Sequence, residues 1–446
     1  MKILLINPPR SPINNILAYA PAEAKRFIHK KLIGPPLGLL TIAAAAKDHD
    51  VEVLEMKGEY DLHPDSPAPD MLVRSVLASF KPDVVGVTFI ASEFYAGMDI
   101  FRTVKNFDPG IKTVAGGLHT VLSLRDFDDA CVDFVCPGQS ADVFMNLIHA
   151  LEQNAAPDSV GGLYFRKDDA MVKASAPRSV WDACNVNFIR PDRSKIKKWI
   201  STYTVGGRIE PSTYIFTSLG CPHECSFCSI WPQFGKQFYQ RDLESIIDEL
   251  KAVDDYPIVR FSDANTIVDA AFISRLFDRI LEEGIRKEYI MDIRFDTAVA
   301  YPELIEKLAR GGLKVVICGF ESYREEELIK YKKGADAKLI SQAIEIFHKN
   351  GVSLRGNYVI PPDYTEDDFK AMADYASSHP VVYAGYTILT PMPGTTYYQE
   401  VKKNIIDHDL AKYNFFNSVM QTALPIEKFY ENTGKLWLIK KGTDVI

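Results

Sequence analysis

Strand-like apolar runs alternate with helical segments in two separate stretches of this 446-residue chain. The first stretch begins with the strand Lys2–Asn7 and ends with a helix from Ala141 to Gln153. The second begins with a strand near Ser212 and closes with the strand Val382–Thr390. Strands separated by helices require crossover connections, which produce parallel sheets with ligand sites at the carboxyl ends of their strands. The chain is therefore predicted to be an α/β protein with two such sheets.

The alternation predicts four segments. Residues 1–153 are expected to form a doubly wound, Rossmann-like domain, and residues 154–211 a linker with a β-hairpin that turns at Asp168-Asp169. Residues 212–391 contain six strand–helix units and are expected to form an open, partial (β/α)6 barrel. Residues 392–446 form an aromatic-rich helical extension, for which core packing is the default interpretation and a lid over the barrel the alternative.

Composition narrows the range of partners and compartments. The net charge of −8 and a pI near 5.7 give no basic face for a polyanion, so nucleic acid is not expected as a partner. No apolar run approaches the roughly 18 residues of a membrane span, and the N-terminus lacks a signal-peptide cleavage site. These features favour a cytoplasmic protein with no membrane span. Four of the seven cysteines lie in apolar contexts and are expected to be buried: Cys131, Cys136, Cys184 and Cys318.

The other three cysteines share one loop after a hydrophobic strand, in the run Cys221-Pro222-His223-Glu224-Cys225-Ser226-Phe227-Cys228. Three thiolates at i, i+4 and i+7 can each hold one iron of a cubane cluster, which leaves the fourth iron open to a substrate or cofactor. Structural zinc is the alternative, but it usually takes four ligands from two knuckles, and no second knuckle follows. The spacing favours a 4Fe-4S cluster.

The C-x₃-C-x₂-C loop, with Phe227 before its last cysteine, resembles that of the radical S-adenosylmethionine (SAM) superfamily. The resemblance implies that Cys221, Cys225 and Cys228 carry the cluster and catalysis, and that its open iron chelates SAM. Further SAM contacts are implied at Phe227 within the loop and at the ends of the next three strands: Asp263, Asn265, Arg294, Asp296, Gly319, Glu321 and Ser322. Arg241, just after the loop, is a weaker candidate that could instead pair with a helix carboxylate.

The N-terminal half resembles the cobalamin-binding domain of one large radical SAM class. Glycines at strand ends allow backbone to approach a bulky flat ligand and its nucleotide tail. The cobalamin contacts implied by the resemblance are Asn7, Pro8, Pro9, Leu37, Gly38, Thr88, Phe89, Ser92, Glu93, Gly116, Gly117, His119, Gly138 and Gln139. A flavodoxin-like domain for another ligand is the alternative.

The chain departs from that class at two places. Relatives often carry Gly-Glu-Gly-Glu where this chain has Gly138-Gln139-Ser140-Ala141. The Asp-x-His-x-x-Gly signature that supplies an imidazole to cobalt is also missing. We therefore expect no histidine on the lower face of the corrin, with the loop 88–93 packed there and His119 beside the nucleotide tail.

The combined resemblance implies an enzyme, a cobalamin-dependent radical SAM methyltransferase that methylates an unactivated sp³ carbon. In this family a 5′-deoxyadenosyl radical abstracts the hydrogen and methylcobalamin supplies the methyl group. Over nearly the whole chain the sequence is similar to hopanoid C-3 methylase-like proteins, and its size and layout resemble the glutamine C-methyltransferase of methyl-coenzyme M reductase. The implied partners are a protein, peptide or lipid substrate and a low-potential electron donor of the ferredoxin or flavodoxin type.

Two other functions remain open at the level of sequence. A ring-forming cyclase can use the same two cofactors, and only product analysis separates it from a methyltransferase. A non-catalytic cobalamin or redox sensor is the second alternative, although a sensor would not need Asp263, Arg294 or Glu321. Methylthiolation would need a second cluster, and the three further cysteines for it are missing.

Overall fold

The computed structural model describes residues 1–28, 34–178, 188–205, 209–379 and 381–439. It divides into two compact units. The first unit comprises Met1–Pro12 and Pro35–Tyr203, and the second comprises Ile13–Gly34 and Thr204–Ile446. No helix of the described residues is long and apolar enough to cross a bilayer. Cys131, Cys136 and Cys318 are buried free thiols, as predicted, whereas Cys184 lies outside the described residues.

The strands, in chain order, are β1 (Lys2–Asn7), β2 (Asp50–Glu55), β3 (Val84–Thr88), β4 (Lys112–Gly116), β5 (Phe134–Val135), β6 (Tyr164–Lys167), β7 (Ala170–Lys173), β8 (Ser212–Ile215), β9 (Ser218–Gly220), β10 (Phe238–Gln240), β11 (Ile258–Phe261), β12 (Glu288–Asp292), β13 (Leu313–Glu321), β14 (Ser353–Ile360) and β15 (Tyr383–Ile388).

The α-helices, in chain order, are α1 (Asn15–Tyr19), α2 (Leu37–Ala45), α3 (Met56–Leu62), α4 (Pro69–Phe80), α5 (Phe94–Phe107), α6 (Leu118–Leu122), α7 (Ala141–Glu152), α8 (Leu243–Ala252), α9 (Ala270–Glu282), α10 (Phe295–Ala300), α11 (Pro302–Arg310), α12 (Glu325–Lys330), α13 (Leu339–Lys349), α14 (Glu366–Ser378), α15 (Thr396–Val401) and α16 (Ile426–Leu436).

The first unit is built on a seven-stranded sheet in the order β2-β1-β3-β4-β5-β6-β7. The strands β1 to β5 are parallel to one another, and their order reverses beside β1, as in a doubly wound fold. The apolar run Ile3–Ile6 of β1 is fully buried, which is typical of a parallel strand covered on both faces. The predicted Rossmann-like class is confirmed.

The hairpin predicted at Asp168-Asp169 is confirmed. The strands β6 and β7 pair antiparallel with Lys167 opposite Ala170, and both aspartates adopt positive φ angles of 49° and 64°. A two-residue turn with both central residues in the left-handed region matches the twist of the flanking strands. Because β6 also pairs with β5, the hairpin extends the sheet of the first unit. Part of the segment predicted as a linker, residues 179–187 and 206–208, lies outside the described residues.

The second unit is built on six parallel strands in the order β15-β14-β13-β12-β11-β8. This order follows the chain, and helices connect successive strands, so the strands form the predicted partial (β/α)6 barrel. A small antiparallel pair, β9 with β10, flanks the cysteine loop. The helix α16 buries Phe429 against Phe369 of α14, with ring centroids 5.6 Å apart, so this part of the C-terminal extension packs as core.

Side-chain caps fix the starts of the barrel helices. Asp242 accepts a hydrogen bond from the backbone N–H of Ser245 at the start of α8, and Asp269 does the same for Phe272 at the start of α9. At α14, Thr365 and Asp368 form a capping box. These bonds satisfy backbone donors that the first turn of a helix leaves unpaired, and they set where each helix leaves its loop.

A buried ion pair connects the first barrel strand to the first barrel helix. Arg241 pairs with Glu249 of α8, which is the alternative that the sequence left open for this residue, and the two side chains are only 4% and 1% exposed. The same guanidinium donates to the carbonyl of Phe216, at 3.2 Å, and to that of Ser245, at 2.9 Å. Arg241 therefore acts as a structural bridge between the strand end and the helix.

We expect Arg241→Met to lower the free energy of unfolding by about 3–5 kcal/mol, because it leaves Glu249 charged and buried without its partner. Urea denaturation followed by circular dichroism would measure the change. The matched control is Arg279→Met on α9, whose ion pairs involve more exposed side chains and should contribute at most about 1 kcal/mol. Equal losses in the two variants would contradict this assignment.

Candidate functional site

The cysteine loop starts at a glycine that the backbone requires. Gly220 ends β9 with a φ of 81°, and a Cβ at this position would collide with the carbonyl oxygen of Gln237. The loop then carries Cys221, Cys225 and Cys228, which are all free and half-buried. Backbone approach at Gly220 therefore sets the direction in which the three thiols leave the sheet.

Hydrogen bonds within the loop and two nearby cations suit a thiolate cluster. The backbone N–H of Ile230 donates to Sγ of Cys228 at 3.4 Å. Burial raises the pKa of Cys228 to about 11 and also raises the pKa of Cys225, and at Cys225 the charges of Lys333 and Arg294 oppose this effect. The cations thus compensate part of the cost of holding thiolates in a partly buried site.

The described residues contain no group of three or more Cys, His, Asp or Glu side chains that converge on a single metal position. A cubane does not need such convergence, because each thiolate binds its own iron.

Asp263 holds the base of the cysteine loop. Its buried carboxylate accepts four hydrogen bonds, from the backbone N–H and hydroxyl of Thr217 and from the same two groups of Ser218, at 2.8–3.1 Å. Burial raises the pKa of Asp263 to about 6, against these four donors, which favour the charged form. Asp263, predicted to contact SAM, thus directs both oxygens to the residues that precede the loop.

Three of the predicted SAM residues share one charged network with a lysine that the sequence did not reveal. Arg294 forms a two-pronged ion pair with Asp296, at 3.0 and 2.8 Å, and donates to the carbonyl of Lys333 at 2.8 Å. Lys333 in turn pairs with Glu321 at 2.9 Å. Lys333 follows α12 rather than a strand, so no strand-end pattern in the sequence pointed to it.

The other predicted SAM residues have varied surroundings. Asn265 is 4% exposed, and its Oδ1 is buried without a hydrogen-bond donor. The hydroxyl of Ser322 donates to Glu327, at 2.5 Å, and so belongs to a separate network. Phe227 packs edge-on against Tyr331, with ring centroids 5.6 Å apart. Asn265 is therefore the predicted residue with an acceptor atom left for a ligand.

A cavity of about 420 Å³ lies inside the second unit. Four of the predicted residues line it, namely Phe227, Arg294, Gly319 and Glu321, whereas Asp263, Asn265, Asp296 and Ser322 are not among its lining residues. Several other lining residues were not predicted from the sequence: Arg260, Asp292, Lys333, Arg355, Asn357, Asn414, Phe416 and Trp437. Most of these lie inside strands or in the C-terminal extension, where an isolated sequence gives no sign of which face they occupy.

In the first unit, buried carboxylates gather at the carboxyl ends of β1 and β2 and on the loop after β3. Asn7 donates to Glu55 at 2.5 Å, and Glu55 also accepts from the backbone N–H of Gly58 at 3.1 Å. Glu93 pairs with Lys57 at 2.7 Å. Burial raises the pKa of Glu55 to about 6 and also raises the pKa of Glu93. Of these residues, Glu55, Gly58 and Lys57 were not predicted from the sequence.

The loop after β4 packs against the loop after β3. Gly117 has a φ of 91°, and a Cβ there would lie 2.7 Å from the backbone nitrogen of Phe89, so only glycine fits. Phe89 is fully buried and packs edge-on against Phe127. His119 bonds Asp126 through Nε2 at 2.9 Å, while its Nδ1 is buried with no hydrogen-bond partner.

Three of the predicted glycines leave open space at the same end of the sheet. A Cβ built on Gly38 would meet no atom within 4 Å. One on Gly116 would approach only the Cys136 carbonyl, and one on Gly138 only Val121, each at 3.7 Å. Open backbone at these glycines, together with the unpaired Nδ1 of His119, fits a large ligand with many hydrogen-bonding groups. The remaining predicted residues differ in burial, with Leu37 and Ser92 buried, Pro9 half-buried and Gln139 exposed.

Comparison with known protein families assigns both units. The model of the B12 binding domain matches residues 27–148, and the model of the Radical SAM superfamily matches residues 215–376. The chain therefore combines a B12 binding domain with a radical SAM domain. Both predicted domain types are thereby confirmed, and the chain is an enzyme of the radical SAM methyltransferase type.

Relatives of this family align over most of the chain. An uncharacterized methyltransferase of Pyrococcus horikoshii is 28% identical over 94% of this chain and 88% of its own length. The hopanoid C-3 methylase of Methylococcus capsulatus is 24% identical over 89% of this chain and 74% of its own length. The solved structure of the radical SAM methyltransferase TsrM from Kitasatospora setae, with cobalamin and a 4Fe-4S cluster bound, has a TM-score of 0.69 at 16% identity. It covers 91% of this chain and 75% of that one, and it supports the fold.

The radical SAM domain implies SAM and a 4Fe-4S cluster as cofactors, and the B12 binding domain implies cobalamin. The residues present fit these groups. Three free thiols share one loop beside Lys333 and Arg294, which suits an anionic cluster. Open glycines and a buried unpaired imidazole nitrogen at the sheet end of the first unit suit cobalamin.

We expect Asp263→Asn to lower the iron bound per chain after anaerobic reconstitution, because an amide cannot accept all four hydrogen bonds from Thr217 and Ser218. The loss of stability should be about 1–3 kcal/mol. Iron and sulfide analysis with thermal melting would measure both effects. Asp269→Asn is the matched control, because asparagine also caps a helix well and should leave the iron content unchanged.

The pKa of Glu55 predicts a pH-dependent stability. Folding raises this pKa from 4.5 to about 6, so the folded chain holds a proton between these values that the unfolded chain releases. Stability therefore falls as the pH rises through this window, by about 2 kcal/mol in total. In Glu55→Gln this contribution should be absent, so wild type should lose stability relative to the variant between pH 4.5 and pH 6. Denaturant unfolding across pH would measure it, with the exposed Glu52→Gln as control; parallel curves for wild type and Glu55→Gln would contradict it.

Proposed function

We propose that this enzyme methylates an unactivated sp³ carbon. The observation that supports the proposal is the cavity beside the cysteine loop, which Phe227, Arg294, Glu321 and Lys333 help to line. A volume of about 420 Å³ lies within the usual range for small-molecule sites. A methyl acceptor placed there would lie close to the loop that carries Cys221, Cys225 and Cys228.

When bound, the cluster with SAM supplies a hydrogen-abstracting carbon radical, and cobalamin supplies a methyl group that an sp³ carbon cannot take from SAM directly. The overall reaction converts two molecules of SAM and one substrate C–H bond into the C-methyl product, 5′-deoxyadenosine, methionine and S-adenosylhomocysteine. Two electrons complete the balance, and a low-potential donor of the ferredoxin or flavodoxin type would supply them.

The chain's own residues would hold and orient these groups. Cys221, Cys225 and Cys228 would bind the cluster, and Asp263 would fix the loop through Thr217 and Ser218. The cations of Arg294 and Lys333 would stabilise the negative charge of the thiolates. The buried Oδ1 of Asn265, which has no hydrogen-bond donor in the described residues, would accept from an amino group of SAM.

In the first unit, the open positions Gly38, Gly116 and Gly138 would accommodate cobalamin, with the loop 88–93 at its lower face. Glu93 on that loop is held by Lys57 at 2.7 Å. His119 would contact the nucleotide tail through its free Nδ1.

A side chain of a protein, such as the glutamine of methyl-coenzyme M reductase, and a hopanoid-type lipid are the first substrates to test. The lipid is the substrate named for the Methylococcus capsulatus relative. The protein substrate follows from the size and layout of the chain.

The test uses the full chain, reconstituted anaerobically with iron, sulfide and cobalamin, with SAM and a low-potential reductant. We expect 5′-deoxyadenosine and S-adenosylhomocysteine to form together, and a mass gain of one methylene on the accepted substrate. Replacing Cys221, Cys225 and Cys228 with alanine should abolish 5′-deoxyadenosine but leave cobalamin binding intact. Formation of 5′-deoxyadenosine with a cyclised, unmethylated product would instead show a cyclase.

The matched variant in the first unit is Gly38→Leu. It should stabilise α2 by roughly 0.5–1 kcal/mol through helix propensity, yet obstruct the open space at the sheet end and lower cobalamin uptake. Ser75→Leu on the exposed face of α4 is the control and should bind cobalamin normally. Visible absorption after gel filtration measures cobalamin uptake. Unchanged uptake by Gly38→Leu would show that cobalamin does not bind at this position.

A further inference from the structure

Three charged side chains line the interior of the partial barrel, where branched apolar residues usually pack. Arg260 lies within β11, Asp292 ends β12 and Arg355 lies within β14, and all three line the cavity of about 420 Å³. Strand pairing places Asp292 opposite Ile317, and Ile317 opposite Arg355, so Asp292 and Arg355 share one level of the barrel. A charge buried at this depth is unfavourable unless an opposite charge or hydrogen bonds compensate it.

These charges do not neutralise one another. Arg260 pairs with Asp292 through contacts of 3.0, 3.0 and 2.7 Å, which engage both carboxylate oxygens. Arg355 forms no ion pair within the described part of the chain, and its buried Nε has no hydrogen-bond partner. Its guanidinium carbon lies over the ring of Tyr383, 5.3 Å from the ring centroid. One cation therefore remains unpaired on the cavity wall.

The surroundings of Arg355 oppose its charge. Desolvation is the main cause that lowers the pKa of Arg355, and the positive charge of Arg260 adds to it, whereas Tyr383, Tyr214 and Asp292 offset only part of the effect. Arginine nevertheless stays protonated in proteins, so the folded chain bears this cost. A negatively charged ligand group would remove the cost and would find the planar guanidinium suited to two parallel hydrogen bonds.

The carboxylate of SAM does not explain this cation. Arg355 lies five residues before the end of β14 at Ile360, which corresponds to about 16 Å along a strand. The cysteine loop, by contrast, follows the carboxyl end of the sheet. The aromatic rings of Phe416 and Trp437 also line the cavity, so an apolar body could accompany the anion.

We propose that Arg355 binds an oxyanion group of the substrate, a carboxylate or a phosphonate, within the barrel cavity. This inference rests on the proposed function only in assigning the cavity to the methyl acceptor. It narrows the substrate class to small molecules that carry an anionic group on an apolar body. A hopanoid hydrocarbon and a neutral glutamine side chain would leave Arg355 unpaired.

The test compares three probes of the same shape: 3-phenylpropanoate, 2-phenylethylphosphonate and the neutral 3-phenylpropanamide. Calorimetric titration of the full chain should give at least one anion an affinity about 10- to 100-fold above that of the amide. The stronger anion identifies a carboxylate or a phosphonate site. Arg355→Gln should abolish the preference, and the exposed Arg310→Gln should keep it.

Equal affinities for anions and amide, no binding of either anion, or a preference that survives in Arg355→Gln would each overturn the inference. A second readout needs no ligand. Arg355→Met should leave the melting temperature unchanged or raise it, because it removes an unpaired cation. Arg260→Met should lower it, because Asp292 loses its partner. A comparable drop in both variants would assign Arg355 a structural role.

Failure here is distinguishable from failure of the proposed function. If the anion preference is absent while SAM cleavage and methyl transfer proceed, only the oxyanion site is wrong. If anions bind as expected but neither 5′-deoxyadenosine nor S-adenosylhomocysteine forms, the cavity stands as a binding site and the methyltransferase proposal falls.

Discussion

The buried carboxylate of Asp263 is the contact on which the candidate active site depends. Strand β8 ends at Ile215, and the backbone N–H groups of Thr217 and Ser218 that follow it both donate to Asp263. On the other side, the carbonyl of Thr217 accepts from the backbone N–H of Arg241 at 3.0 Å. The segment between sheet and cysteine loop is thus bonded from two directions. A loop held in this way can present its thiols in one arrangement before any iron binds, which reduces the ordering cost of cluster assembly.

Local sequence patterns predicted the features that depend on local chemistry. The turn at Asp168-Asp169 follows from residues that tolerate positive φ, and the strand–helix alternation follows from hydrophobic spacing. The cysteine spacing indicated the cluster because three thiols on one loop need no long-range contact to be recognised. The contacts of Asp263 lay beyond such reasoning. Its position after a strand placed it at the carboxyl edge of the sheet, but only the fold shows that four donors from Thr217 and Ser218 already occupy its oxygens.

Two of the cavity residues that the sequence did not predict, Arg260 and Arg355, were missed for the same physical reason. Arg260 and Arg355 lie in the middle of strands, where successive side chains alternate between the barrel interior and the helices outside. A single sequence does not reveal which alternation is inward, because a shift of one residue reverses every side chain. The strand register of the structure answers this question, because it pairs Arg355 with Ile317 and Ile317 with Asp292. Lys333 was missed for another reason, since it reaches the site from the loop after α12.

Buried polar atoms without hydrogen-bond partners occur in both units, and their surroundings indicate whether a ligand is expected to bind them. The hydroxyls of Tyr358 and Tyr386 are unpaired inside an aromatic stack, with ring centroids 5.6 Å apart, so the packing of the rings offsets the lost hydrogen bonds. The unpaired atoms of His119 and Arg355 have a different setting. The former lies beside the strand ends of the first sheet, and the latter lines an open cavity. His119 packs against Phe94 and Phe127, and Arg355 lies over Tyr383, but these ring contacts do not supply the missing hydrogen bonds, so a ligand is their simplest source.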